Sequence, residues 1–363
     1  VVPGGEIFDQ PTVLDFQLQL ARTNLTALRH NPREYTPVTV TVNGQVFTNV
    51  GVKLKGAAGS FRSVDDRPAM TLHFSKWVAG RRLFGLRRIH LNNSVQDESR
   101  MNEYLASELF RGAGVPTPRV AWATVRINDR EAGLYVLKEA FETEFLRLSF
   151  GNASGNLYDG GFVRDIDQEL ERDSGAGCTN RADLKALLAA AREPDLTNRW
   201  ERLHKVLDVD RFVTYAALSV MLVDWDGYLL NRNNYRIYFR PDDGRAVFMP
   251  HGMDQLFQRS YMELDANWNG CVAWGLFDTP QGQKLYQERC RQVFTNVFRL
   301  ERMTNTIARV TEVLKTVDPE MERRGNWFSD QVESRYRVLR RDEWIKPALV
   351  AAAAATNKAT VKP

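Results

Sequence analysis

The chain changes character once, near Phe141, and that change constrains its fold more than any motif does. Before it, short alternating apolar runs separated by turn residues predominate. Val38, Val40 and Val42 share one face of a strand, Asn43-Gly44 makes a tight turn, and Val46 to Leu54 returns. Ala69 to Phe74 alternates through Met70, Leu72 and Phe74, Ile89 to Leu91 reads as another short strand, and Trp122 to Ile127 turns at Asn128-Asp129 into Gly133 to Leu137. One helix interrupts them, opened by Asp97, with Met101, Tyr104, Leu105 and Leu109 at helical spacing and Gly112 and Gly114 closing it. After Phe141 helices take over. Gly151 to Asn180 reads as a long irregular stretch; Ala182 to Ala191, Trp200 to Leu207, Val209 to Val223, Gly282 to Thr316 and Trp327 to Trp344 read as helices. A single hairpin, Tyr235 to Phe239 with Phe248-Met249, turns among them at Asp242-Asp243-Gly244. The order predicts an α+β fold in four sections. Residues 1–36 are read as a helical extension built on Val13, Phe16, Leu18, Leu20, Leu25 and Leu28, 37–141 as a β-rich lobe, 142–350 as a helical lobe, and 351–363 as a linker-like tail.

Composition removes several classes of function. Nineteen Phe, eleven Tyr and eight Trp supply a real core, which excludes wholesale disorder. No run of 18 apolar residues exists, so the sequence predicts no helical membrane span. The net charge of +4 is spread along the chain rather than blocked, which argues against nucleic acid as a partner. Cys178, Cys271 and Cys290 fit no zinc spacing and no redox pair. Cys178 and Cys271 lie in Gly/Asn-rich stretches where a bridge or two separate thiols are both open readings; Cys290 reads as a core residue. The first residue is Val1 rather than Met, and with the linker-like tail this reads as a domain taken from something larger.

The chemistry concentrates in Val223-Asp-Trp-Asp-Gly-Tyr-Leu-Leu-Asn-Arg-Asn-Asn-Tyr235. Asx turns after a helix explain such a composition on their own. The spacing supports a sharper reading: Asp226 precedes Asn231 by five residues, and a hairpin then delivers Asp254 in Pro250-His-Gly-Met-Asp254. Helix, Asp-x-x-x-x-Asn, hairpin, Asp is the order of parts in kinase-type phosphoryl transfer, with a carboxylate at the acceptor hydroxyl and an Asn and a second Asp on the metal. His251 lies in the same loop, either as an ion or phosphate contact or as a structural histidine. Upstream, Gly56-Ala-Ala-Gly59-Ser follows a strand and can lay backbone N–H groups over phosphates, although GxxxxGK[ST] is absent. Lys53 and Lys55 share a strand face, with Lys55 the better phosphate candidate. On the Asp97 helix, Glu108 lies near the Met101–Leu105 apolar face and Glu103 points away, so Glu108 is expected to meet Lys55 or Arg67, with a rim position for its side chain the open alternative. No HExxH, GxSxG or Cys/His grouping occurs.

These segments together resemble the CotH kinase family, the spore coat protein H-like atypical kinases. The resemblance runs over roughly Phe8 to Phe257. It is carried by Gly51-Val-Lys-Leu-Lys-Gly56, Arg67-Pro-Ala-Met-Thr-Leu-His-Phe74, Leu91-Asn-Asn-Ser-Val-Gln-Asp97, Gly133-Leu-Tyr-Val-Leu-Lys-Glu139, Gly155-Asn-Leu-Tyr158, Asp224-Trp-Asp226 with Asn231 to Tyr235, and Pro250 to Phe257. It implies a protein-kinase-like two-lobed fold, ATP with Mg²⁺ or Mn²⁺ as cofactors, and Ser/Thr of a secreted or surface protein as acceptor. By the same resemblance Asp226 is the catalytic carboxylate, Asn231 and Asp254 are metal ligands, and Leu134 to Glu139 is the hinge beside adenine. ATP contacts fall to Lys55, Gly56, Gly59, Arg67, Glu108 and Glu139. Two positions depart from the pattern: His251-Gly-Met-Asp254 holds one carboxylate where members often hold two, and Arg67 stands where many have Lys. A nucleotide- or partner-binding module without turnover, and transfer of AMP on the same fold, remain open at this level.

Overall fold

The computed structural model describes residues 2–349 apart from 58, 178 and 348. The proposed tail and the Cys178 half of the candidate bridge lie outside the described residues; Cys271 and Cys290 are free thiols. The chain divides into two compact units. One comprises 1–107, 118–151 and 306–327, the other 108–117, 152–305 and 328–363.

The first unit is built on a closed seven-stranded barrel. After a short helical turn, α1 (Gly5–Phe8), come β1 (Val13–Gln19), α2 (Arg22–His30), β2 (Thr36–Val42), β3 (Gln45–Lys55), β4 (Ala69–His73) and β5 (Arg88–Asn92). Helix α3 (Asn102–Gly112) is followed by β6 (Val120–Ile127), β7 (Arg130–Glu139) and α4 (Thr143–Phe150). The strand order is β1-β2-β3-β4-β5-β7-β6, and β1 closes the ring by pairing in parallel with β6, Val13 opposite Trp122 and Leu18 opposite Ile127. The hairpins form where turn chemistry demands them: Asn43 and Gly44 both take positive φ, as does Asn128. Side chains alternate, so Leu54, Met70, Leu91 and Leu137 fill the interior while Lys53, Thr71, His90 and Lys138 face outward.

The reading of 1–36 as a helical extension is corrected. Residues 13–19 are a barrel strand with Leu14, Phe16 and Leu18 buried at period two, and only 22–30 is the expected helix. Apolar residues at 14, 16, 18 and 20 fit a strand better than a helix, and Leu25 and Leu28 belong to a separate element. The section 37–141 likewise gains residues 1–36, 142–151 and 306–327 and loses 108–117.

In the second unit, β8 (Leu157–Asp159) and β9 (Glu171–Ser174) come first, inside the stretch expected to be irregular. Then follow α5 (Ala182–Ala191), α6 (Leu196–Val206), α7 (Val209–Met221), the single turn α8 (Tyr228–Asn231), β10 (Tyr235–Phe239) and β11 (Ala246–Pro250). The sheet order is β11-β10-β8-β9. Helices α9 (Cys271–Phe277), α10 (Pro280–Asn296), α11 (Leu300–Leu314) and α12 (Met321–Leu339) follow, so the helix expected over 282–316 is two helices broken at 297–299. No helix among the described residues is long and apolar enough to cross a membrane.

Candidate active site

Helix α7 is buried without a break from Phe212 to Met221, and its end sets the geometry of the acidic loop. It stops in a Schellman turn: the Asp224 N–H reaches back to the Ser219 carbonyl at 2.8 Å, and Val223 takes the left-handed conformation with φ 59°. Glycine normally fills that position; a buried β-branched residue there stores backbone strain, of the kind found at functional sites. Arg335 of α12 fixes the same helix end. Fully buried, it donates to the carbonyls of Met221 and Val220 at 2.9 Å each, of Ser260 at 2.8 Å, and of Met262.

The loop that follows places Asp226 among neutral donors. Asn231 Nδ2 donates to one carboxylate oxygen at 2.6 Å, Asn234 Nδ2 to the other at 2.9 Å, and Asn233 Nδ2 to both at 3.2–3.3 Å. Asn231 ends the turn α8, which is what swings its amide back onto Asp226 five residues earlier. Gly252, with φ 60°, lets the Pro250–Asp254 loop approach the same cluster; a Cβ there would meet Asn234 Oδ1 at 2.6 Å. The sequence therefore brought Asp226 and Asn231 together correctly, while Asn233 and Asn234 went unassigned because their Asx character suited a plain turn equally well.

Asp224 lies two residues ahead of Asp226, just past the end of α7. It is buried, one carboxylate oxygen has no hydrogen-bond partner, and it packs so tightly on Gly227 that a Cβ there would lie 2.3 Å from Oδ2. Burial, then the charges of Asp226 and Asp254, push its carboxyl up to about 8. The charges of Asp226 and Asp254 both reach Asp224, yet among the described residues no group of three or more His, Cys, Asp or Glu is placed to hold a metal ion. A hard divalent cation such as Mg²⁺ is commonly held through one or two carboxylates, with its remaining positions left to water and phosphate oxygens. A folded-state carboxyl raised from 3.8 to about 8 loses stability as pH rises through that interval. Relative to Asp224→Asn, the metal-free wild type is expected to lose up to about 1.4 kcal/mol per pH unit between about pH 4 and 8. Urea unfolding of both proteins at pH 6 and 8 checks this; parallel stabilities rule it out.

His251 Nε2 lies 2.9 Å from Arg236, which pairs in turn with Asp159 at 2.6 Å and Asp173 at 3.0 Å.

In the first unit the helix carboxylate is Glu103, and the expectation for Glu108 is corrected. Glu108 is about two-fifths exposed and bonds Arg111 three residues on at 3.1 Å. Glu103 is fully buried, paired with Lys138 of β7 and accepting from Asn92 Nδ2 at 3.0 Å. Burial works against its charge, but Lys138 first, then Asn92 and Lys55, outweigh it and hold Glu103 below the ordinary carboxylate range. The face argument failed because α3 is covered nearly all round, Asn102 to Ser107 being buried without a break, so no solvent side exists for Glu103 to take. The helix also begins at Asn102; Asp97 lies ahead of it, accepting from the Asn102 N–H at 3.1 Å.

Lys55 is the strand lysine whose charge reaches Glu103, whereas Lys53 Nζ lies 5.0 Å over the Tyr35 ring. Gly56 and Gly59 both have positive φ, and their turn is closed by Ser60 Oγ accepting from the Ala57 N–H at 3.1 Å and by Asn93 Nδ2 donating to the Ser60 carbonyl at 3.1 Å. Arg67 donates to the Leu134 carbonyl and lies 5.1 Å over the Tyr135 ring; burial lowers its pKa.

Glu139 stands apart from this set. Its carboxylate takes Arg119 Nε at 2.9 Å and Nη2 at 2.6 Å, both side chains being buried, so its side chain is a structural partner rather than an adenine contact. Glu139→Ala strands a buried guanidinium and is expected to cost about 3–5 kcal/mol of stability. Chemical denaturation measures it; a variant as stable as wild type but deficient in nucleotide binding would restore the ligand role.

Known proteins resemble this chain over about half of its length or more. The inner spore coat protein H of Bacillus subtilis is 22% identical over 259 residues, which cover 64% of this chain and 68% of that protein. The invasin CotH3 of Rhizopus delemar is 22% identical over 231 residues, covering 58% of this chain and 37% of the invasin, so the chain spans little more than a third of that longer relative. The crystal structure of the Helicobacter pylori proinflammatory kinase CtkA covers 87% of this chain and 95% of its own, at 9% identity and a TM-score of 0.36, a likeness too weak to carry an argument. The CotH kinase protein family matches residues 55–341, more than three quarters of the sequence, taking in the barrel strands β4 to β7 and the Asp224–Asp254 loops: the chain belongs to the CotH kinase family.

Proposed function

We propose that the chain transfers the γ-phosphate of ATP to Ser or Thr hydroxyls of a secreted or surface protein, on a protein-kinase-like two-lobed fold. The observation that carries this reading is Asp226. It is a carboxylate steadied by three neutral amides, beside a buried acidic neighbour and at the end of a rigid helix. Neutral donors orient the carboxylate without cancelling its charge, so it can take or align the proton of an attacking hydroxyl. Asn231 and Asp254 would hold Mg²⁺ or Mn²⁺, with Asp224 behind them. The ion, when bound, neutralises charge on the phosphates. Asn231 turns its amide nitrogen to Asp226 and contributes its amide oxygen, the atom type that hard cations take. Lys55, steered by Glu103, Gly56 and Gly59 are assigned to the phosphates. Arg67 is second to them, since its guanidinium already holds Leu134 and Tyr135. Relatives named for a spore coat and for invasins support an extracytoplasmic setting.

The test is incubation with ATP, Mg²⁺ or Mn²⁺ and a Ser-rich protein, read by intact-mass and peptide mass spectrometry. Phosphoserine or phosphothreonine on the acceptor is the expected product. Incorporated AMP would move the assignment to nucleotidyl transfer, and nucleotide binding with no modification would make the chain a binding module.

A further inference from the structure

The chain is net positive, at +4, yet one surface of the second unit is lined the other way. Two cavities of about 410 and 490 Å³ share Asp265 and Trp344 as walls. Helices α9 and α10, the 265–268 segment and the residues after α12 bound them. Glu263, Asp265, Asp278, Asp342 and Glu343 line the pair, against the single cation Arg341. Trp268, Trp274, Trp344 and Tyr286 supply aromatic surface to the first cavity.

The molecule itself shows how a cation sits on this chemistry. Arg199 lies with its guanidinium 5.1 Å over the Trp274 ring while pairing with Asp278 at 2.7 Å. An indole face and a carboxylate together receive one guanidinium, by ring quadrupole and by charge. Asp265, Trp268 and Trp344 bring the same residue types, a carboxylate and indoles, to the walls of the same cavity. Among the described residues, no cation of the chain forms an ion pair with Glu263, Asp265 or Glu343, and all three are exposed.

We propose that this groove docks a Lys- or Arg-bearing segment of a protein partner, with Asp265, Trp268 and Trp344 receiving the cationic group and Glu263 and Glu343 drawing in its neighbours. A neutral sugar would use the rings but gain nothing from the excess of carboxylates, whereas a basic peptide uses both. Asp226, Asn231 and Asp254 are not among the walls of the groove, and the proposal does not depend on phosphoryl transfer.

Fluorescence anisotropy on the full chain with a labelled alternating Arg-Gly octapeptide tests this, with the Gln-Gly counterpart as the neutral probe. Binding of the basic peptide alone is expected, weakening with added salt. Asp265→Asn combined with Glu343→Gln should raise its Kd by about tenfold or more, and Glu263→Arg by a comparable factor. These positions are exposed, so the variants keep the fold, which an unchanged melting temperature verifies. Glu108→Gln, elsewhere on the surface, should leave the Kd as it is. Absence of binding, equal affinity in wild type and both groove variants, or displacement of the peptide by a neutral trisaccharide would each overturn the proposal.

Discussion

Asp226→Asn is expected to lower phosphoryl transfer by about 10²-fold or more while leaving nucleotide binding near the wild-type level, because general-base assistance is worth about that much. The substitution keeps the shape of a side chain that accepts from Asn231, Asn233 and Asn234, and removes only its charge. Asp254→Ala should behave differently. A lost metal ligand acts on the ground state, so metal-dependent nucleotide affinity falls along with turnover. Nucleotide titrations with and without Mg²⁺, beside initial rates on one acceptor protein, separate the two effects. If Asp226→Asn labels the acceptor at the wild-type rate, Asp226 is a turn residue, and Asp224, with its unpartnered buried oxygen, takes its place.

Arg335→Met is expected to lose at least about 3 kcal/mol of stability, and with it the order of the acidic loop. Burial lowers the pKa of this guanidinium to about 10, so it stays charged at neutral pH. Its partners are backbone carbonyls at the end of α7 and in the 260–262 segment, with no carboxylate among them. Methionine fills much of the volume but donates nothing. The Val220 and Met221 carbonyls, already at a helix end, then lose a buried donor each. Because Val223 in its left-handed conformation follows directly, relaxation of that helix end shifts Asp224 and Asp226. Urea denaturation gives the stability loss. Turnover on the surviving folded fraction, with its KM-against-kcat split, reports the loop: a fall in kcat beyond what stability explains is the expected result. A variant as stable and as fast as wild type removes Arg335 from any positioning role.

Much of the acidic site was legible because it is local. Asp226, Asn231 and the strand that follows lie within ten residues, and the turn α8 needs only its own backbone to fold Asn231 back. Hairpins were legible for the same reason: Asn43-Gly44 and Asn128-Asp129 carry their conformations in their own side chains. Errors arose where an element's surroundings mattered. The helix α3 offered two glutamates to a face argument that assumes a solvent side, and complete cover made the polar-looking one, Glu103, the buried partner of Lys138. Val13 to Leu18 alternates at period two, and parallel pairing with β6 sets it in the barrel rather than in a helical extension.

The sequence by itself determined the turns, most strand and helix segments, the family, and the clustering of Asp and Asn after α7, all of which rest on residues near one another along the chain. Only the tertiary structure decided which ionisable groups are desolvated and with whom they pair: Glu103 with Lys138, Glu139 with Arg119, Arg335 with four carbonyls, Asp224 with no donor on one oxygen. The physical reason is that the cost of burying a charge depends on what covers it from every side, and those neighbours come from distant parts of the chain.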